Sequence, residues 1–399
     1  MKQKTKLPEG WQETEFGNKA YFEILPSGID KFEGEKDYLS TESIQGTDIE
    51  KIECKITHKD RPSRANMQPV LNSVWFAKMQ ATLKVYSFTQ ANKDEINGFI
   101  LSTGFAGIRV EDSKVDPFYL RHFLKSKEFN KIKDSNCSGA TQKAIGNEKL
   151  SKIKIPLPSL SIQKKIVKLL DRAEQAKIKR ERADNLTKDY LQSVFYDLFF
   201  DKKNKFQRVE IQHGITKTEN RTPEREFPNE YFEYIDIASV DNKLKKIIET
   251  KKILGKEAPS RARQEVKFKD ILISTVRPNL NAVALIPKSL DKSICSTGFC
   301  ILRADNENFV SEYLFNITQT DYFINNLVKK CTGANYPAVS NNDIKCLEVP
   351  LPPIELQQKF AKIVEKVEKL KNKQQKSKEK IDEIFTSLMQ KAFRGELVK

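Results

Sequence analysis

The chain is written twice. The word "PSRA" stands at Pro62-Ser63-Arg64-Ala65 and again at Pro259-Ser260-Arg261-Ala262, and its surroundings repeat with it. "PSRANMQPVLNSVWFAKMQATL" (62–83) runs without a gap against "PSRARQEVKFKDILISTVRPNL" (259–280). Apolar residues coincide at Val74/Ile271, Trp75/Leu272, Phe76/Ile273 and Leu83/Leu280. Downstream, "LSTGFAGIRV" (101–110) matches "CSTGFCILRA" (295–304), and Gly139-Ala140 matches Gly333-Ala334. "IKIPLPSLSIQKKI" (153–166) then matches "LEVPLPPIELQQKF" (347–360). The register drifts by only a few residues, so about half the chain is duplicated in tandem. Each copy is long enough to bury a core of its own, unlike the short units of a solenoid. Two domains of one fold follow.

Within each copy, short β-like runs such as "VWFAKM" and "DILIST" alternate with helical stretches, and a proline-rich punctuation closes the mixed segment. Proline at "IPLPSL" and "VPLPPI" forbids helix until it has passed. The clearest periodicity in the chain comes next. Ile162, Ile166 and Leu169 match Leu356, Phe360 and Ile363; past a polar waist, Tyr190 and Val194 match Ile384 and Leu388. An apolar residue about every 3.5 positions between charged flanks predicts a coiled coil. Each helix would hold about 38 residues and extend roughly 57 Å. So narrow a stripe on so long a helix is best buried by pairing the two helices, antiparallel. The expected fold class is α+β, with two similar globular domains (1–158 and 201–353) joined by two long antiparallel helices (159–200 and 354–399) in a pseudo-twofold repeat.

The formal net charge of +16 favours a polyanionic partner, with nucleic acid ahead of a membrane surface. No apolar run approaches the length of a membrane span and no signal-peptide pattern opens the chain, so a cytoplasmic protein is expected. The six cysteines form no CxxC pair and are expected to be reduced and mostly buried. Signatures of catalysis are missing: no GxxxxGK[ST] loop, no GxGxxG, and no Asp/Asn-Pro-Pro-aromatic tetrapeptide. His58, His122 and His213 lack zinc-site spacing. Asp48, Glu53 and Lys55 echo a nuclease pattern, but so charged a chain generates such triplets freely and the second copy has none in register. No metal site is expected.

These features together resemble the specificity subunit of a type I restriction-modification enzyme. The matching phrases include "APSRARQEVKFKDILISTVRPNL", "CSTGFCILR", "GANYPAVSNNDIKCLEVPLPPIELQQKF" and "LMQKAFRGELV", with "GATQKAIGNEKLSKIKIPLPSLSIQKKI" in the first copy. The resemblance runs from Leu7 to Val398. It implies two target recognition domains, each reading one half of a bipartite, asymmetric DNA sequence, and long helices that set the half-site spacing. It also implies docking of two modification (methyltransferase) subunits, with restriction subunits as further partners. S-adenosylmethionine, Mg²⁺ and ATP would belong to those partners, leaving this chain non-catalytic and without a cofactor. The alternative left open is a coiled-coil scaffold for protein partners without sequence-specific DNA recognition.

Candidate DNA-binding residues follow from chemistry. Arg64, Arg261 and Arg263 lie in the repeated loop, where a guanidinium can grip phosphate or reach guanine bidentately. Arg277 and Asn279 follow a β-like run, and the polar loops "GATQK" and "GANYP" offer Gln142, Lys143, Asn335 and Tyr336. The Arg277-Pro278 pair has no counterpart in the first copy. A word kept in both copies cannot distinguish two half-sites, so "PSRA" is expected to be scaffold or phosphate grip, with specificity in the diverging segments.

Overall fold

A computed structural model describes residues 7–46, 48–140, 143–201, 205–332 and 337–398. The chain divides into two compact units, residues 1–181 with 375–399 and residues 182–374.

In the first unit a mixed four-stranded sheet has the order Cys54–Ile56, Lys36–Leu39, Phe99–Ser102, Ala65–Met67. Its two central strands run parallel, with Tyr38 opposite Ile100, and both edge strands are antiparallel. An antiparallel sheet of Phe22–Ile24, Phe105–Val110, Ser73–Ala77 and Val85–Phe88 packs on it. The run "SVWFA" is buried at every position, and its period of two explains how. Val74 and Phe76 enter a core shared with the helices, while Trp75 and Ala77 enter the core between the two sheets. The unit is therefore three layers deep: helices, antiparallel sheet, mixed sheet. Gly107 is required here, since a Cβ on it would lie 2.7 Å from the Trp75 ring.

The second unit repeats the plan. Its mixed sheet runs Lys251–Leu254, Tyr231–Ile235, Ile294–Ser296, Ala262–Glu265, again parallel at its centre. Its antiparallel sheet has Val283–Leu285, Ile271–Ser274 and Phe299–Leu302, one strand fewer than in the first unit among the described residues. Alternate residues again serve two cores: Ile271 and Ile273 on the helix side, Leu272 on the sheet side.

The duplicated words meet in space. Ala65 pairs with Ser102 and Ala262 with Ser296, so "PSRA" and "STG" are neighbouring strand ends in each unit. Each "PSRA" closes the same turn, Ala65 N to Pro62 O and Ala262 N to Pro259 O, both at 2.8 Å. The repeat is kept because the two words hold each other.

The long helices are Leu160–Phe199 and Ile354–Arg394. Within the first unit the Lys177 ammonium lies 2.7 Å from the Asp382 carboxylate, and Phe393 packs edge-on to Tyr119 and Phe123. Within the second, Gln374 donates to the Thr187 hydroxyl at 2.9 Å, and Phe360 packs tilted against Phe195 and edge-on to Phe199. In both, earlier residues of one helix meet later residues of the other, so the segments run antiparallel. Ile162, Ile166, Val194, Leu356, Phe360 and Leu388 all join these cores, and Ile363 is half-buried. Leu169, Tyr190 and Ile384 depart from the expected seam, being 37%, 55% and 57% exposed. The buried stripe is carried instead by Val167 and Leu170, by Phe195, and by Met389 and Phe393. The reason is that each helix end packs into its own globular core as well as on the other helix. That wider buried arc follows the 3.6-residue period rather than a strict heptad.

All six cysteines are free, but only Cys295 and Cys300 are buried; Cys54 is exposed and the other three are intermediate. The expectation of mostly buried thiols is corrected accordingly.

Candidate nucleic-acid interface

Each unit presents one row of loops stitched edge to edge by backbone hydrogen bonds. In the first unit Thr103 N donates to Arg64 O at 2.8 Å, and Lys78 N to Gly104 O at 2.9 Å. Ile145 N then donates to Lys78 O at 3.1 Å, and Gln80 N to Lys143 O at 2.9 Å. Arg64, Lys78, Gln80 and Lys143 are thereby set along one ridge. The second unit builds the same row: Thr297 N to Arg261 O (2.9 Å), Thr275 N to Gly298 O (3.0 Å), Val339 N to Thr275 O (2.9 Å) and Arg277 N to Pro337 O (2.7 Å). Arg261, Thr275 and Arg277 take the corresponding places. The backbone frame is shared, and the side chains it carries differ.

Arg64 and Arg261 are exposed, and neither guanidinium has a hydrogen-bond or ion partner among the described residues. Such a free cation beside a rigid loop suits a phosphate. Arg263 is placed otherwise. Its fork is closed on Glu224, at 3.1 and 2.6 Å, with a further bond to Ala262 O, so it braces its own unit. Arg277 adopts a left-handed backbone (φ 51°) and begins the 3-10 turn Pro278–Leu280, on which Asn279 is exposed. Lys143 is exposed on the ridge. Gln142, Asn335 and Tyr336 lie outside the described residues.

Three features escaped the sequence reading. Gln80 is exposed on the ridge of the first unit, at the place that Arg277 takes in the second. Lys133 is fully buried beneath that ridge, its ammonium bonded to Met79 O at 3.0 Å and Thr82 O at 2.6 Å. Burial lowers its pKa, with the neighbouring Asp134 charge opposing the shift. The third is a buried glutamine at the start of each long helix. Gln163 accepts from Asp116 N and donates to Lys114 O and Pro158 O, all at 2.9 Å. Gln357 does the same with Val310 N (3.0 Å), Asn308 O (2.8 Å) and Pro352 O (2.9 Å). The signal was present as the matched Gln of "SIQKKI" and "ELQQKF", but one glutamine among polar helix residues does not announce burial.

His122, Asp171 and Glu174 bring metal-ligand atoms within 4.8 Å of one another. Two cations already serve those carboxylates: Arg121 lies 3.0 Å from Asp171, and Lys125 pairs with Glu174. Burial depresses the His122 pKa, outweighing its 2.8 Å bond to Asp171, so the ring is neutral. The cluster locks the helix Pro117–Lys125 to the first long helix. Of the nuclease-like triplet, Glu53 accepts from the Ser40 hydroxyl and Lys55 lies 4.0 Å from Glu35. No described helix is long and apolar enough to cross a membrane.

Comparison with known proteins fits this duplicated geometry. The family model "Type I restriction modification DNA specificity domain" matches twice, at residues 23–188 and 209–383. The chain is 26% identical over 317 residues to a putative type I restriction enzyme MjaX specificity subunit of Methanocaldococcus jannaschii, covering 73% of this chain and 70% of that one. It is 23% identical to the MjaVIII specificity subunit of the same organism, covering 98% of this chain and 94% of that one. A solved chain of a type I R-M system shares the fold with a TM-score of 0.63 at 21% identity, over 98% of this chain and all of that one. The chain belongs to the type I restriction-modification DNA specificity family.

Proposed function

We propose that this chain reads a split, asymmetric DNA target, one unit per half-site, and directs two modification subunits to it. As a type I specificity subunit it recognises DNA and associates with the other restriction-modification subunits; it is the recognition component rather than the catalytic one. The observation that carries the finer reading is the pair of ridges. Two loop rows on one backbone frame display Gln80 and Lys143 in one unit but Arg277 and Asn279 in the other. Equal frames give both units a common way to lie on a duplex, and unequal side chains give them different base edges to read. The net charge of +16 supplies the sequence-independent attraction. S-adenosylmethionine, Mg²⁺ and ATP fall to the partner subunits, and the complex works in the cytoplasm.

The experiment is selection from a random duplex library by the chain assembled with its modification subunits. Enrichment of a two-part motif with unlike halves is expected. Enrichment of one unbroken palindrome overturns the split reading, and no enrichment favours the scaffold.

A further inference from the structure

We propose that the loop 78–83 reads an A·T pair in the first half-site and that the buried Lys133–Asp134 pair is what positions it. This rests on the DNA-reading role above. From below, the Lys133 ammonium joins both shoulders of the loop, Met79 O at 3.0 Å and Thr82 O at 2.6 Å. Asp134 Oδ1 stands 3.5 Å from that ammonium and accepts from Ala81 N at 3.1 Å. Ala81 is thereby held in a left-handed backbone (φ 57°), which an alanine adopts only when its surroundings impose it.

Packing alone does not ask for a lysine here. In the second unit the position equivalent to Lys133 is Leu327, buried at 2% exposure, and it fills the same kind of space without a charge. The loop above Leu327 is fixed by other means. Pro278 is buried in its 3-10 turn, Arg277 and Asn281 are left-handed (φ 51° and 48°), and Lys245 donates to Asn281 O at 2.6 Å. Two unrelated sets of residues thus hold one loop rigid, which points to a demand on the loop's outer face rather than on the core. The cost of burying the ammonium is offset by its two carbonyl bonds and the nearby Asp134 carboxylate, and what these contacts hold in place is a surface.

That surface carries Gln80 and Leu83. Gln80 is exposed, and its carboxamide can bond adenine N6 and N7 together. Leu83 is 53% exposed and its counterpart Leu280 47%, whereas the other repeated apolar positions of this segment are buried. An apolar side chain kept exposed in both reading loops suits contact with a thymine methyl.

The test uses the full chain assembled with its modification subunits and competition binding to duplexes altered at one half-site at a time. Lys133→Met keeps the stem and removes the ammonium; Asp134→Ala frees the Ala81 amide; Asp134→Asn keeps an oxygen to accept it. Lys133→Met and Asp134→Ala are expected to lose about tenfold of discrimination at one A·T position of one half-site, the scale of a single base contact. The other half-site should be read as before, and Asp134→Asn should retain most of the discrimination. Unchanged discrimination with only a lower melting temperature overturns the proposal, as does an equal loss at both half-sites. A wild-type complex without any sequence preference would instead overturn the DNA-reading role itself.

Discussion

Replacing Gln357 by Met removes a buried amide while keeping the length of the side chain. Three hydrogen bonds go at once: from Val310 N at 3.0 Å, and to Asn308 O at 2.8 Å and Pro352 O at 2.9 Å. The groups left behind decide the cost. Val310 and Pro352 are buried, so their N–H and C=O are stranded, whereas Asn308 is exposed and its carbonyl can turn to water. At about 1–3 kcal/mol for each stranded group, the loss is about 4 kcal/mol, a large share of the roughly 5–15 kcal/mol that holds a domain together. The damage should stay in the second unit, since all four residues lie in it. Hydrogen exchange resolved by peptide is the assay. Protection should fall across residues 308–317 and at the start of the second long helix, and hold in the first unit. Gln163→Met should produce the mirror result, through Asp116 N, Lys114 O and Pro158 O. A loss below about 1 kcal/mol, or equal deprotection of both units, would refute the assignment of these glutamines as straps.

Other outcomes follow from the ridges, the ion-pair lock and the helices. Arg261→Ala should weaken specific and non-specific DNA alike and make the log–log salt slope shallower by about 0.9, one phosphate's worth; relaxed choice at one base position would make Arg261 a reader instead. His122 is held neutral by burial against an ordinary pKa of 6.5, so below that value the unfolded chain takes up a proton that the folded unit refuses. The first unit should therefore lose stability as pH falls below 6.5, and His122→Asn, copying Asn316 of the second unit, should flatten that dependence in pH-resolved melting. One heptad inserted after Ala183 and another after Ser377 lengthen each helix by about 10.5 Å. If helix length sets the spacing, the preferred gap between half-sites should grow by about three base pairs at 3.4 Å each; an active variant that keeps the old gap would refute it.

The duplication was legible because its shared words are mutual partners. "PSRA" and "STG" hold adjoining strand ends, so both had to be kept, and their coincidence marked two domains of one fold. The long helices were legible in extent, from proline punctuation to the last apolar residues. Their phase was less so. A heptad rule places Leu169, Tyr190 and Ile384 in the seam, but contact with the globular cores rotates the buried arc to Leu170, Phe195 and Phe393. Among the candidate readers, charge drew the eye to Arg263, which Glu224 occupies. A partner 39 residues away in sequence could not be seen from the loop alone. Gln80 and Lys133 were hidden for the opposite reason. One is an ordinary polar residue made notable by the ridge it stands on, and the other is a lysine whose burial only the fold reveals.

Whether two unlike units read two unlike half-sites is decided by mapping every methylated base in DNA from cells that express this chain with its modification subunits. The ridges predict a split motif whose halves differ, since one ridge carries Gln80 and Lys143 where the other carries Arg277 and Asn279. An uninterrupted palindrome, or a split motif with identical inverted halves, would contradict it.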